Sequence, residues 1–128
     1  MKRIILLAFL CTTTLVMAQR INHVQEAIAN YDYEAALTLI AKEKPTIPLL
    51  LQKGKAQRGL GMNTEALSTY QEIITNDTAN TRAYIEAAEC CHSLAKYQQA
   101  LKYYEQALDL NPENKYVRIQ YIGLLLSL

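Results

Sequence analysis

Sliding the sequence by 34 residues lays 47–80 over 81–114, and no other feature of the chain limits its fold so tightly. Five positions coincide: Leu60 with Leu94, Ala66 with Ala100, Leu67 with Leu101, Tyr70 with Tyr104, and Asn80 with Asn114. Around them Gly54 meets Ala88, Leu50 meets Tyr84, Leu51 meets Ile85 and Ile74 meets Leu108. Chance composition supplies scattered identities, but it does not hold small and aromatic positions in register. A unit of this length is one supersecondary element that buries its apolar faces only by stacking on neighbours.

Each period divides into two helices. Tyr84, Ala87, Ala88, Cys91 and Leu94 recur at the three- and four-residue steps of one helical face, and Ala100, Leu101, Tyr104, Ala107 and Leu108 do the same. Asn111-Pro112-Glu113 reads as a helix start, with Asn capping free amides and Pro needing no donor in the first turn. Asn63 and Asn80 stand where similar caps are expected. Ala66 and Ala100 suit helices that cross closely, Gly54 and Ala88 suit a second close approach, and Tyr70 and Tyr104 supply bulk against the next hairpin.

These residues resemble the tetratricopeptide repeat. That family's pattern asks for a small residue in the first helix, an Ala, an aromatic and a second Ala in the second, and a Pro beyond it. Ala88, Ala100, Tyr104, Ala107 and Pro112 meet it in full, with Tyr97 at a further aromatic position and Tyr84 in place of the family's Trp. In 47–80, Gly54, Ala66 and Tyr70 match, while Leu50 replaces the Trp, Ile73 the second Ala and Thr78 the Pro. The resemblance implies an all-α, right-handed superhelical stack of antiparallel helix pairs. Tyr33, Ala36 and Ile40 imitate the pattern in a degenerate unit at about 19–46, four residues shorter than the others. Its helices are expected at Arg20 to Asn30 and Tyr33 to Glu43, with Asp32 as a cap and Pro45 and Pro48 ending the second. Residues 115–128 read as the first helix of a further unit, Leu128 standing where Leu60 and Leu94 stand. That helix is apolar nearly all round after Gln120, so a continuation of the repeats, or self-association, is expected to cover it.

Residues 1–18 read as a signal peptide. Lys2 and Arg3 precede the apolar run Ile4 to Leu10, and Val16-Met17-Ala18 offers a cut before Gln19. The uninterrupted run falls short of the roughly 20 residues a spanning helix needs, and Thr12 to Thr14 follow it, which disfavours a membrane anchor. Phe9 and Leu10 disfavour a lipid on Cys11. The layout resembles signal peptides of Gram-negative bacteria, and Ala-Gln at the cut those of the Bacteroidetes group, so a periplasmic or envelope location is expected. No membrane span is expected in the mature chain, 19–128. The 13 basic residues less Lys2 and Arg3 leave 11 against 12 acidic ones, too even a balance to attract nucleic acid.

No catalytic, cofactor or metal pattern is present, and the chain is not read as an enzyme. His92 has Glu89 one turn before it, but no paired-histidine or CxxC spacing accompanies them. Gly59-Leu60-Gly61 is a lone GxG in a helix connection. Cys90 and Cys91 read as small, partly buried residues of one helix. The family resemblance implies instead a protein or peptide partner, held in a groove lined by the first helices of successive units. Carried over, the groove residues are Leu51, Lys55 and Arg58, then Arg82, Ile85, Glu89 and His92, then Tyr116 and Ile119. Replacing Arg58 and Arg82 with Glu is expected to weaken capture without disturbing helicity. The family's carboxylate clamp for chaperone tails does not carry over, since Glu86 stands where the clamp needs an amide. The sequence leaves two alternatives open: the amino-terminal part of a larger enzyme or signalling kinase, and a self-associating structural subunit.

Overall fold

The computed structural model describes residues 1–128, and every regular element in it is a helix. In chain order these are α1 (Lys2–Ala29), α2 (Tyr33–Ile40), α3 (Ile47–Gly59), α4 (Asn63–Asn76), α5 (Thr81–Ser93), α6 (Tyr97–Leu110) and α7 (Lys115–Ser127). α1 and α2, α3 and α4, and α5 and α6 form hairpins that stack in sequence order, and α7 lies against α6.

The same turn closes every hairpin, including the degenerate first one. The amides of Asp32, Met62 and Lys96 donate to the carbonyls of Ala27, Gln57 and Cys91 at 2.8, 2.9 and 2.8 Å, five residues back in each case. Tyr31, Gly61 and Ala95 precede these donors with φ of 60°, 75° and 57°. This is the left-handed helix ending that glycine adopts freely, and only Gly61 supplies glycine. Tyr31 and Ala95 hold it at a cost of about 1 kcal/mol each.

Capping departs in part from the sequence expectation. Asp32 and Asn80 do cap, accepting from the amides of Ala35 and Ala83 at 3.1 Å. Asn111 does not: it ends α6, Pro112 is exposed in the turn rather than a packing residue, and Asn114 caps α7 by accepting from Val117. Asn63 is already helical, behind an N-cap Met62 that makes no side-chain bond. Pro48 opens α3, where a proline lacks nothing, and Thr46 caps that helix by accepting from Leu49. α2 stops at Ile40 rather than Glu43, because Lys42 and Glu43 bond to carbonyls only three residues back.

α1 also begins far earlier than Arg20. Nothing between Ala18 and Arg20 breaks a helix, so α1 runs from Lys2, and every residue from there to Arg20 is exposed. The hydroxyls of Thr12, Thr13 and Thr14 donate back to the carbonyls of Phe9, Leu10 and Cys11, so they do not interrupt it. Its 18-residue window of mean hydropathy 1.9 makes α1 long and apolar enough to cross a membrane, a property that export signals share.

Two clusters form the core. Val24, Ile28, Ala36, Ile40, Leu49 and Ala56 join α1, α2 and α3. A larger cluster of 17 residues joins α3 to α7 and contains Ala66, Tyr70, Tyr84, Ala88, Ala100, Tyr104 and Ala107. Gly54 is the contact that lets this cluster close: a Cβ there would lie 2.4 Å from Cζ of Tyr70. At Gly59 an added Cβ would also meet a ring, that of the half-buried Tyr33, which would have to move aside. Tyr97 departs from its expected packing role, being 38% exposed with its ring edge-on to His92 at 5.7 Å.

Burial raises the pKa of Tyr70, Tyr104 and Cys91 and pushes the Cys90 thiol up to about 12. The unfolded chain therefore releases these protons first, and their contribution to stability is whole below pH 9 and lost as pH climbs through the folded values. The unfolding temperature followed by circular dichroism is expected to fall progressively above about pH 9. A temperature that holds level to about pH 11 contradicts the burial assigned to these four groups.

Candidate partner-binding groove

The first helices of successive hairpins are joined edge to edge by one chain of polar side chains. Arg58 on α3 pairs with Glu86 and, at 2.6 Å, with Glu89, both on α5 and three residues apart. The Tyr116 hydroxyl on α7 donates to Oε1 of Glu89 at 2.6 Å. Arg82 Nε stands 3.8 Å from Glu86 Oε1. α3, α5 and α7 thus line one surface of the stack. The second helices line another, where Gln71 on α4 donates to the Tyr103 hydroxyl on α6 at 3.1 Å.

Partial burial makes this chain stronger than an ordinary surface ion pair. The side chains of Arg58, Glu86 and Glu89 are 28%, 22% and 22% exposed, so solvent screens them incompletely. Burial alone would lower the Arg58 pKa, but Glu89 and Glu86 more than reverse this, and the guanidinium is held above its ordinary value. The bond to Glu89 pushes the Tyr116 phenol up to about 12. One cation faces two carboxylates, in the forked geometry that suits a guanidinium.

The groove residues named from sequence therefore divide into three sets. Arg58, Glu89 and Tyr116 are brought together as a brace between hairpins, and the guanidinium of Arg58 is already engaged. Leu51 and Ile85 are half-buried and pack against the large core cluster. Lys55, Arg82, His92 and Ile119 are exposed, Ile119 by 67%. Glu86 joins this polar chain although the sequence marks it only as a repulsive charge. Its pairing with Arg58 spans 28 residues, a separation that no single-helix spacing rule reaches.

No group of three or more His, Cys, Asp or Glu is positioned to hold a metal ion. The surface offers a rigid zwitterionic floor with exposed cations at Lys55 and Arg82. Apolar side chains extend from Tyr116 and Ile119 along α7, where Ile122, Leu125 and Leu126 are also exposed.

Residues 81–114 match the family model described as the tetratricopeptide repeat. The human tetratricopeptide repeat protein 6 is 30% identical over 89 residues, which is 70% of this chain but only 16% of that protein. Among solved structures, the first repeat domain of Spaghetti (RPAP3), bound to the HSP90 peptide SRMEEVD, is similar with a TM-score of 0.80 and 19% identity. The match covers 86% of this chain and 90% of that one. The Yersinia enterocolitica secretion chaperone SycD, in complex with a peptide of the translocator YopD, reaches 0.81 at 16% identity, covering 88% and 94%. The architecture is that of tetratricopeptide-repeat domains: an all-helical stack of paired helices.

Proposed function

We propose that this helical stack, with a tetratricopeptide repeat as its third unit, is an exported scaffold that holds another protein along α3, α5 and α7. One observation carries the reading: the Arg58–Glu89–Tyr116 brace makes a continuous, preordered surface out of two hairpins and α7. A surface already rigid loses little entropy on binding. Two structures of the same architecture are described with bound peptides, an HSP90 peptide in one and a translocator peptide in the other, which supports a peptide or protein as the occupant. The carboxylates of Glu86 and Glu89 disfavour an acidic tail such as SRMEEVD on this floor. A segment with apolar side chains and mixed charge suits it better. The role is binding, not catalysis.

Export rests on Lys2, Arg3, the apolar run after them and the cut site before Gln19. A second reading, self-association, is favoured by α7, which leaves Ile122, Leu125 and Leu126 between 46% and 84% exposed. One experiment covers both. A photo-crosslinking residue at Ile119, in the full chain expressed in a Gram-negative host, is expected to trap a distinct envelope protein, and the recovered chain is expected to begin at Gln19. Tyr116→Ala should reduce the trapped band. A chain retained with Met1 in the inner membrane refutes export by cleavage. A product of twice the chain mass assigns the surface to self-association, and no product from any groove position refutes the scaffold.

A further inference from the structure

The degenerate first unit leaves a cleft that the other units fill. α2 has 8 residues where α4 and α6 have 14, so the final turns that would seal the neighbouring face of α3 are missing. The effect is clearest at Lys53, which is only half-buried. One period later, Ala83, Ala87 and Cys91 are all wholly buried. Their counterparts here are Leu49, Lys53 and Gln57, which line a cleft of about 370 Å³ together with Leu37, Ile40 and Pro45. That volume is within the range of small-molecule sites.

Two polar groups in this apolar setting are left without partners. Gln57 is 93% buried, at 7% exposed. Its Oε1 lies 2.7 Å from the Thr69 hydroxyl, whose one proton also has the Glu65 carbonyl within reach at 3.1 Å, and its Nε2 makes no bond to the protein. No polar side-chain atom without a partner is sealed off from solvent, so Nε2 reaches the accessible space beside it, which is the cleft. Lys53 is four residues earlier on the same face of α3 and is absent from every ion pair in the chain. The one carboxylate lining the cleft, Glu43, is already engaged by Arg20 at 2.8 Å.

An ammonium and an amide N–H one helical turn apart on α3 offer one donor to each oxygen of a carboxylate, and apart from the Glu43 carboxylate held by Arg20 the remaining walls are hydrocarbon. We propose that the cleft binds a small apolar monocarboxylic acid, its carboxylate on Lys53 and Gln57 and its tail on Leu37, Ile40 and Leu49. The site is independent of the groove, which lies along α3, α5 and α7.

Titration of the full chain with octanoate, followed through the methyl resonances of Leu37, Ile40 and Leu49, tests this directly. Saturable shifts are expected, with 1-octanol binding more weakly. Lys53→Met keeps the side-chain length and removes the charge; it should weaken octanoate about tenfold and leave octanol unchanged. Ala41→Phe, which fills the cleft from its rim, should weaken both. Shifts confined to Leu6, Leu7 and Leu10 would assign binding to the exposed start of α1 and overturn the proposal. So would octanoate affinity that Lys53→Met does not alter, or a leucine-terminated peptide that saturates these methyls where octanoate does not.

Discussion

Replacing Gly54 with valine is expected to cost about 3 kcal/mol of folding stability, because the added atoms have nowhere to go. The Tyr70 ring occupies the space a side chain would need, with Cζ, Cε1 and the hydroxyl oxygen at 2.4, 2.7 and 2.8 Å from an added Cβ. A flexible tip would normally swing aside, but Tyr70 is only 1% exposed and lies in the cluster that ties α4 to α5. Moving the ring therefore displaces the next hairpin as well. Urea unfolding followed by circular dichroism should show the loss, and Tyr70→Leu in the valine background should recover part of it. A Gly54→Val chain within about 0.5 kcal/mol of the parent would mean that the two helices do not cross at this point.

Arg58→Glu is the second large effect, and it reverses what the sequence led one to expect of this residue. Three carboxylates would then meet where one guanidinium now bridges two, in a setting less than a third exposed. Removing one partner from a buried pair is worth several kcal/mol, and residual solvent reduces that here to about 2 kcal/mol. The deficit should shrink at high salt, which screens the repulsion. It should also be partly repaired by Glu89→Arg, which restores an opposite charge. Full stability in the Arg58→Glu chain at low salt would show that the brace does not join the hairpins. Arg82 behaves differently: its side chain is 60% exposed and 3.8 Å from Glu86, so its reversal should alter partner capture without a comparable loss of fold.

The 34-residue period settled most of the fold before any coordinate was known, because it reports burial through residue size. Ala66, Ala88, Ala100 and Ala107 are small where helices meet, and each is wholly buried. Tyr70 and Tyr104 are large where a gap needs filling, and each is 1% exposed. Those are local demands of packing, repeated at fixed spacing, so a linear pattern carries them. Helix ends were less legible. Asn111 and Asn114 have the same chemistry three residues apart, and only the backbone bonds decide which of them caps.

What the linear pattern left undecided is what happens between hairpins. Arg58, Glu86, Glu89 and Tyr116 read separately as groove-facing or repulsive charges; stacking brings them within bonding distance and turns recognition candidates into a structural brace. The cleft beside Lys53 and Gln57 has the same origin. A four-residue deficit in the first unit is visible in the chain, but its position, after Ile40 in α2, follows from where the helix yields to tighter turns. Repeat period, helix pairing and the buried faces were therefore legible in the sequence, since each is written as residue size at three- and four-residue steps and repeated at a fixed offset. The brace and the cleft were decided by tertiary structure, since each depends on side chains that the stack, and not the chain, makes neighbours.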